Sequence, residues 1–466
     1  MNFKKTIFLA ILLISAFLRL YKIDGYMEFL GDQGRDVVHV WNFLSKGDLM
    51  FIGPQTSIGN MYLGPWFYYF IAPALLLFNY SPVGPSVLIA ICAVITTYLI
   101  YKLSDKWFNT NAAVVSSFAF AISPVIIKYT SFSWNPNIMP LFALLFIYAL
   151  VQKRYIVAAL SFVMILNSHY LGLLLLAPAA LILFNQKPKL TVFIKPIIVV
   201  ALFFLPLVLF DIKHKGQNVN SIVKFFTVRQ ETVNLKPYKA IPEIFPLTKQ
   251  ITTRILVGKD ESLGLIYTVV FLLLLFIVFL LHKKDKNYLY LLTWFISGVF
   301  GLALYKQHIY DHYFAFLFPV LCMLLGVLVY RFKYLGLILF TITIFTSIQA
   351  SHLKYAPNNQ LQTAKTIVNR IVEASKGQDF NLALLAKQNY DPPYRYFMYL
   401  QNAPVKEIID QKTTQLFVIC EPFQMDCEKP PLGHPEFSIA AFGPARLDNM
   451  FKIGEITIFK LVPAKI

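Results

Sequence analysis

Long apolar runs recur along most of this 466-residue chain, and they constrain its fold more than any other feature. They begin near residue 6 and continue, with short polar breaks, to about residue 349. Hydrophobic residues make up 57% of the chain and charged residues only 14%, against roughly 25% charged in globular domains. Water-soluble, fibrous and disordered folds are therefore excluded. We predict an α-helical polytopic membrane protein.

The positions of Lys and Arg indicate which runs cross the membrane. If every run crossed from a cytoplasmic N-terminus, the basic clusters around Lys102, Lys153 and Lys187 would lie outside, against the positive-inside rule. Treating the proline-interrupted run 62–79 as a surface segment that does not cross removes this conflict. About eleven crossings then remain, in a multi-pass protein of the plasma (inner) membrane with an extracytoplasmic C-terminus. The same topology explains most of the net charge of +18 without a nucleic-acid partner.

Composition divides the chain into two predicted domains. Residues 1–350 are expected to form the transmembrane domain, with outer loops at 21–81 and 211–261. From 351 to 466 the charged residues return, and a helix-like stretch at 360–376 precedes the strand-like runs NLALLA, QLFVIC and EITIFKLV. This tail is predicted to be a small extracytoplasmic α/β domain.

The four cysteines divide in the same way. Cys92 and Cys322 lie in predicted spans, whereas Cys420 and Cys427 lie in the tail. Because an extracytoplasmic compartment is oxidising, a disulfide between Cys420 and Cys427 is one expectation. Two buried free thiols are the other.

An acidic motif, GDQGRD at residues 31–36, follows the first predicted span. The apolar residues after it share a helical face, which favours a helix lying on the membrane surface. Asp32 is expected at the start of this helix and Asp36 one turn later on roughly the same side. One interpretation is a helix cap with a second carboxylate that matches the helix dipole. The other is a carboxylate presented at the membrane surface to accept a proton from a hydroxyl group.

Two outer turns carry polar residues that the predicted topology leaves open to more than one interpretation. Asn135 and Asn137 lie in the first turn, where their amides either bind a sugar hydroxyl, support a neighbouring carboxylate or, for Asn135 ahead of a proline, cap a helix. His169 and Tyr170 interrupt the next apolar stretch. They mark either a binding site or the polar break that two short spans require.

Positive charge is concentrated on the predicted outer side, where it is not expected. The loop 211–261 carries an excess of cations, among them Arg229, Arg254 and Lys259. Phospholipid headgroups and a lipid-linked phosphate are the two candidate partners. A later polar turn adds more candidates, namely Lys306, His308, Asp311 and His312.

With these residues in view, the chain resembles the GT-C superfamily of integral-membrane glycosyltransferases. It is most similar to bacterial family 39 proteins related to protein O-mannosyltransferases and aminoarabinose transferases. The resemblance covers about residues 6–350 and rests on the position of the acidic motif and on the non-crossing run 62–79. It implies transfer of a hexosyl or pentosyl group from a polyprenyl-phosphate donor to a hydroxyl or amine of a glycan, lipid or protein, by one inverting displacement.

By the same resemblance Asp32 is expected to be the catalytic base, with Asp36 as the second choice. The candidate cations for the departing phosphate are Arg35, Arg229, Arg254, Lys259, Lys306 and His308. Several relatives carry a second acidic motif where this chain has Asn135 and Asn137. A divalent metal is therefore not favoured, and we expect a transfer that requires no cofactor.

Two other functions remain as alternatives. A transporter would place charged residues near the middle of the membrane, but the apolar runs here are nearly free of acidic residues. A non-catalytic scaffold would only bind lipid at its outer surface. Replacing Asp32 distinguishes an enzyme from a scaffold.

Overall fold

The computed structural model of the chain describes residues 3–56, 61–227, 233 and 236–464, and these are mostly helical. In chain order the α-helices are α1 (Phe3–Leu20), α2 (Ile23–Tyr26), α3 (Gly31–Lys46), α4 (Trp66–Leu77), α5 (Val83–Trp107), α6 (Thr110–Ile122), α7 (Pro124–Tyr129), α8 (Met139–Val151), α9 (Tyr155–Ser168), α10 (Leu176–Gln186), α11 (Ile194–Lys213), α12 (Gln217–Thr227), α13 (Ile241–Leu256), α14 (Glu261–His282), α15 (Lys286–Ala303), α16 (Phe318–Arg331), α17 (Lys333–Gln349), α18 (Gln360–Ser375), α19 (Pro392–Leu400) and α20 (Phe437–Phe442). The strands are β1 (Asn381–Leu385), β2 (Leu416–Cys420), β3 (Ala445–Ile453) and β4 (Ile456–Pro463).

The chain folds into two compact units. Unit 1 contains Met1–Ile23 and Asp48–Ala356, and unit 2 contains Asp24–Gly47 and Pro357–Ile466. This division differs from the predicted boundary at residue 350, because the segment that carries the acidic motif belongs to the C-terminal unit. The physical reason is close packing of α3 on α19. A β-carbon at Gly34 would collide with the backbone nitrogen of Pro393, so only glycine permits this approach.

Unit 1 is an all-helical bundle in which α16 is buried and packs against α6, α15 and α17. Within the described residues, five helical segments are long and apolar enough to cross a bilayer: Val83–Trp107, Leu190–Lys213, Glu261–His282, Asp311–Arg331 and Lys333–Lys354. Several large apolar side chains of α11 are exposed, among them Ile197 at 65%, as expected of a helix that faces lipid. The full number of crossings stays a prediction.

The run 62–79, which we predicted not to cross, contains the 12-residue helix α4. At 1.5 Å per residue this helix is about 18 Å long, shorter than the roughly 30 Å of hydrocarbon in a bilayer. Another predicted span, 110–130, is divided into α6 and α7 at Ser123. The residue after Ser123 is Pro124, which has no backbone N–H to continue the helix.

Arg19, at the end of α1, repairs that break. Its guanidinium group is 1% exposed and donates to the carbonyl oxygens of Phe120 (3.2 Å) and Ala121 (3.0 Å) and to the Thr130 hydroxyl (2.8 Å). The carbonyl of Phe120 lies four residues before Pro124 and therefore lacks its normal helical donor. A buried cation thus fixes α1 against the interrupted helix.

Replacing Arg19 is expected to destabilise unit 1 strongly. Arg19→Met keeps a flexible aliphatic stem of similar length but removes the guanidinium group. The buried carbonyl oxygens then lack donors, at a cost of about 3 kcal/mol. Thermal unfolding of the purified protein in detergent measures the effect. Arg370→Met is the control, because Arg370 forms an exposed ion pair with Glu373 and such pairs contribute little. Equal melting temperatures for the two variants would contradict the assigned role of Arg19.

Unit 2 is a small α/β domain whose sheet has the strand order β1-β2-β4-β3. β1 and β2 are parallel, with Asn381 paired to Leu416, whereas β4 is antiparallel to both of its neighbours. The predicted helix at 360–376 and the three predicted strands are confirmed as α18, β1, β2 and β4. The polar strand β3 and the short helices α19 and α20 were not predicted. Cys420 and Cys427 form a disulfide, so the first of the two expectations is correct.

Candidate functional site

The first candidate cluster lies in unit 2, on the first two turns of α3. One guanidinium group, that of Arg35, binds both carboxylates of the motif: Nη1 lies 2.8 Å from Asp32 Oδ1, and Nη2 lies 2.7 Å from Asp36 Oδ1. Two carboxylates one turn apart repel each other, so a shared cation is what holds them together. The predicted placement of Asp32 and Asp36 on one side of a helix is confirmed.

The two carboxylates differ in exposure, and this difference decides which of them can take part in a reaction. The side chain of Asp32 is 28% exposed, whereas that of Asp36 is 1% exposed. A group in solution can therefore reach the carboxylate of Asp32 but not that of Asp36. Asp32 is therefore the stronger candidate for a proton acceptor, and Asp36 anchors Arg35.

The helix-cap interpretation of Asp32 is wrong. The helix begins at Gly31, so the cap position falls on Leu30, which has no side-chain acceptor. Asp32 accepts hydrogen bonds from Arg35 and from the Tyr390 hydroxyl (2.8 Å). Its carboxylate is thus held by two side chains and does not cap the backbone N–H groups of α3.

The second candidate cluster lies in unit 1, where four polar segments converge. They are the end of α7 with the turn that follows it, the turn after α9, the end of α13, and the turn before α16. Trp134 contacts His312, His169 contacts Tyr313, and Arg254 pairs with Asp311. The predicted collection of polar residues at helix ends is therefore present in unit 1.

Cations dominate this cluster. Arg254 Nε lies 2.8 Å from Asp311 Oδ1, and the carboxylate of Asp311 is only 7% exposed. Lys259 lies close enough to Arg254, Asp311 and Lys128 to interact with them electrostatically. Burial, together with the repulsion of Arg254 and Lys128, holds the pKa of Lys259 below its ordinary value, although Asp311 opposes this shift. An anionic ligand would relieve the repulsion among the three cations.

Aromatic rings line the same cluster. The ring centroid of His312 lies 4.4 Å from that of Trp134 and 4.6 Å from that of Tyr313, and His169 lies 5.4 Å from Tyr313. Nδ1 of His169 accepts from the backbone N–H of Leu171 at 3.2 Å. The rings of Trp134 and Tyr313 offer apolar faces of the kind that pack against sugars and prenyl chains.

The predicted amides and tyrosine fix the loops around the cluster. Asn135 Nδ2 donates to the carbonyl oxygen of Ser168 at 2.7 Å, and Asn137 Nδ2 donates to that of Phe132 at 2.9 Å. The Tyr170 hydroxyl donates to the carbonyl oxygen of Tyr62 at 2.9 Å. The described side-chain bonds of Asn135 do not cap its own helical turn. These contacts hold the turns in place.

The remaining predicted residues are Lys306, His308, Arg35 and Arg229. Lys306 and His308 are exposed in the turn after α15, where His308 packs against the ring of Tyr310. Arg35, predicted as a phosphate ligand, pairs with the two carboxylates of α3 in the first cluster. Arg229 lies outside the described residues. No group of three or more potential metal-binding side chains occurs among the described residues.

Sequence reasoning did not select Lys128 or Tyr390. Lys128 lies near the predicted outer end of a span, and a lysine there goes against the positive-inside rule, so a signal existed. No comparable signal marks Tyr390, which is separated from Asp32 by 358 residues.

Comparisons with known proteins agree with this architecture. Residues 63–211 match the model of the dolichyl-phosphate-mannose-protein mannosyltransferase family. Among curated proteins, no sequence matches the chain. The structure is similar to ArnT from Cupriavidus metallidurans bound to undecaprenyl phosphate, with a TM-score of 0.63 and 10% identity over 98% of this chain and 97% of that chain.

A second similar structure is the oligosaccharyltransferase of Archaeoglobus fulgidus in complex with Zn and sulfate. Its TM-score is 0.50 at 14% identity, over 89% of this chain and 68% of that chain. At such identities the likeness establishes the fold. The resemblance noted from the sequence is thereby confirmed: the chain is a multi-pass membrane protein similar to the GT-C glycosyltransferases, in fold over most of its length and in sequence over residues 63–211.

Proposed function

We propose that the protein transfers a hexosyl or pentosyl group from a polyprenyl-phosphate donor to a hydroxyl or amine of a glycan, lipid or protein acceptor. The family match over residues 63–211 supports sugar transfer. A polyprenyl-phosphate donor is supported by the similar structures, since one is ArnT bound to undecaprenyl phosphate and another is AglB of Archaeoglobus fulgidus with a dolichol-phosphate.

The observation that carries this proposal is the state of Asp32. Its carboxylate is accessible, it is oriented by two hydrogen-bond donors, and it stands on a rigid helix. These are the requirements for a general base that must accept a proton from an acceptor hydroxyl or amine. Asp36, which shares the same arginine, is too buried for this role.

In the proposed reaction the acceptor oxygen or nitrogen attacks the anomeric carbon of the donor sugar. The bond from that carbon to the phosphate oxygen breaks, and the electron pair leaves with the polyprenyl phosphate. Asp32 takes the acceptor proton. The charge that develops on the departing phosphate requires cations, and Arg254, Lys128 and Lys259 are the candidates that unit 1 offers for this role.

We also propose that this chemistry takes place at the outer face of the membrane. The positive-inside distribution of Lys and Arg supports a cytoplasmic N-terminus and an extracytoplasmic C-terminal unit. The disulfide between Cys420 and Cys427 agrees with that side of the membrane, because disulfides persist in oxidising compartments.

Asp32→Asn is expected to abolish turnover while leaving the fold intact. Loss of a general base lowers rates by about 100-fold or more, and asparagine preserves the size of the side chain. The measurement uses purified protein in detergent with a panel of radiolabelled polyprenyl-phosphate sugars, and it follows carrier binding and consumption separately. Binding without consumption by the mutant is the expected result.

Asp379→Asn is the matched control, because it makes the same chemical change at an exposed carboxylate of unit 2. It should retain full turnover. If Asp32→Asn turned over as fast as this control, Asp32 would not be the base. If neither the mutant nor the wild-type protein bound any carrier, a transporter or a lipid-binding scaffold would replace the proposed enzyme.

Neutralising Lys128 or Lys259 is expected to weaken donor binding. Lys128→Gln and Lys259→Gln each remove one charge-assisted contact to phosphate, which predicts a loss of affinity of about tenfold. Arg254 is a poorer test, since its removal leaves the buried Asp311 without its described partner. Binding of radiolabelled donor measures the effect, and Lys283→Gln, on the predicted cytoplasmic side, is the control. Unchanged affinity in both variants would move the phosphate site elsewhere.

The lowered pKa of Lys259 gives this contact a pH dependence. The ammonium form binds phosphate and is lost as the pH rises through a pKa that lies below the ordinary lysine value of about 10.4. Lys259→Arg stays charged over this range. We expect donor affinity to fall with rising alkaline pH in the wild type and to fall less in Lys259→Arg.

Transfer is expected to proceed in the presence of metal chelators. A polyprenyl phosphate is already a good leaving group, and the cations of unit 1 can supply the charge that a metal would otherwise provide. Turnover in EDTA should equal turnover in untreated enzyme. Loss of activity that Mg²⁺ or Mn²⁺ restores would show instead that a metal takes part.

A further inference from the structure

The loop between β1 and α19 returns to the acidic motif through two neighbouring side chains. Asn389 Oδ1 accepts from the backbone N–H of Gly31 at 2.8 Å, and the Tyr390 hydroxyl donates to Asp32 Oδ1 at 2.8 Å. All four residues belong to unit 2. Within unit 2, the loop before α19 therefore contacts both the start of α3 and the carboxylate that we assign as the base.

Neither contact is loosely held. The ring of Tyr390 lies directly over Gly31, where any β-carbon would collide with it. Asn389 Nδ2 in turn donates to Glu421 Oε1 at 2.6 Å, and the hydroxyl of Tyr394 donates to the same oxygen at 2.8 Å. Glu421 directly follows β2. A continuous chain of hydrogen bonds thus runs from the end of the sheet to the first residue of α3.

The hydrogen bonds to Asp32 are asymmetric. Arg35 Nη1 and the Tyr390 hydroxyl both reach Oδ1, and within the described residues no hydrogen bond reaches Oδ2. Two donors on one oxygen fix the plane of the carboxylate and leave the lone pairs of the other oxygen for an incoming proton. Burial and the charge of Asp32 raise the pKa of Tyr390 to about 12, so its hydroxyl stays protonated and remains a donor.

We propose that Tyr390 is a positioning residue for the transferase reaction: its hydroxyl, together with Arg35, holds Asp32 so that Oδ2 faces the acceptor. Asn389 supports this geometry by fixing the amino end of α3. This inference rests on the proposed function, because it assigns Tyr390 a role only if Asp32 is the base. It gives the C-terminal unit a direct part in the chemistry.

Tyr390→Phe tests the proposal, since it keeps the ring over Gly31 and removes only the hydroxyl. We expect kcat to fall about tenfold while the KM for the donor and the melting temperature stay unchanged, because orientation of the base matters only in the transition state. Tyr399→Phe is the matched control. It removes a hydroxyl from the same unit while keeping the ring stacked on Trp41, and it should behave as wild type.

A second measurement separates positioning from a purely structural effect. In an Asp32→Glu background the longer side chain moves the carboxylate away from the hydroxyl, so adding Tyr390→Phe should lower kcat much less than tenfold. An equal loss in both backgrounds would mean that Tyr390 acts independently of the base and would overturn the proposal.

The outcomes also distinguish this proposal from the proposed function. If Asp32→Asn is inactive but Tyr390→Phe turns over like Tyr399→Phe, the role of Tyr390 is refuted and Asp32 stays the base. If Asp32→Asn retains turnover, the proposed function itself fails, and the assignment of Tyr390 fails with it.

Discussion

The constraint on which the rest of this structure depends is that hydrocarbon offers no hydrogen bonds. Each backbone carbonyl inside unit 1 must find a donor within the protein. The break at Ser123 shows how strictly this holds, because Pro124 removes a donor and the guanidinium group of Arg19 replaces it from another helix. From the sequence, Arg19 is expected to be a charged residue at the end of the first span, but it is buried in the bundle.

The same constraint decides where chemistry can occur. Side chains that bind phosphate or sugar cannot remain unsatisfied along the spans, so they gather where helices end and turns begin. Arg254, Asp311 and His312 follow this pattern at their own helix ends. Asn135 and Tyr170 hold the turns that carry them by bonding to backbone carbonyls. The positions of these polar residues therefore follow from the hydrocarbon around the spans as much as from the proposed reaction.

Much of this could be predicted from the sequence because the signals are local. Apolar runs predict helices, the motif at residues 31–36 places two carboxylates one turn apart, and β-rich runs predict three of the four strands. What could not be predicted depends on contacts distant in sequence. The pairing of Tyr390 with Asp32 leaves no local trace, and neither does the membership of α3 in the C-terminal unit. The strand β3 was also missed, and most of its side chains are exposed.

Placing the proposed base in unit 2 has a physical advantage. A carboxylate that must be charged, oriented and accessible needs polar partners, and the helices and loops of an α/β unit can supply them at little cost in desolvation. Arg35 compensates its charge, Tyr390 fixes its plane, and partial exposure keeps one oxygen accessible. Arg35 also compensates the charge of Asp36, but that carboxylate is buried. The difference between two neighbouring aspartates is therefore set by the burial that α19 and its preceding loop impose on α3, and not by the motif alone.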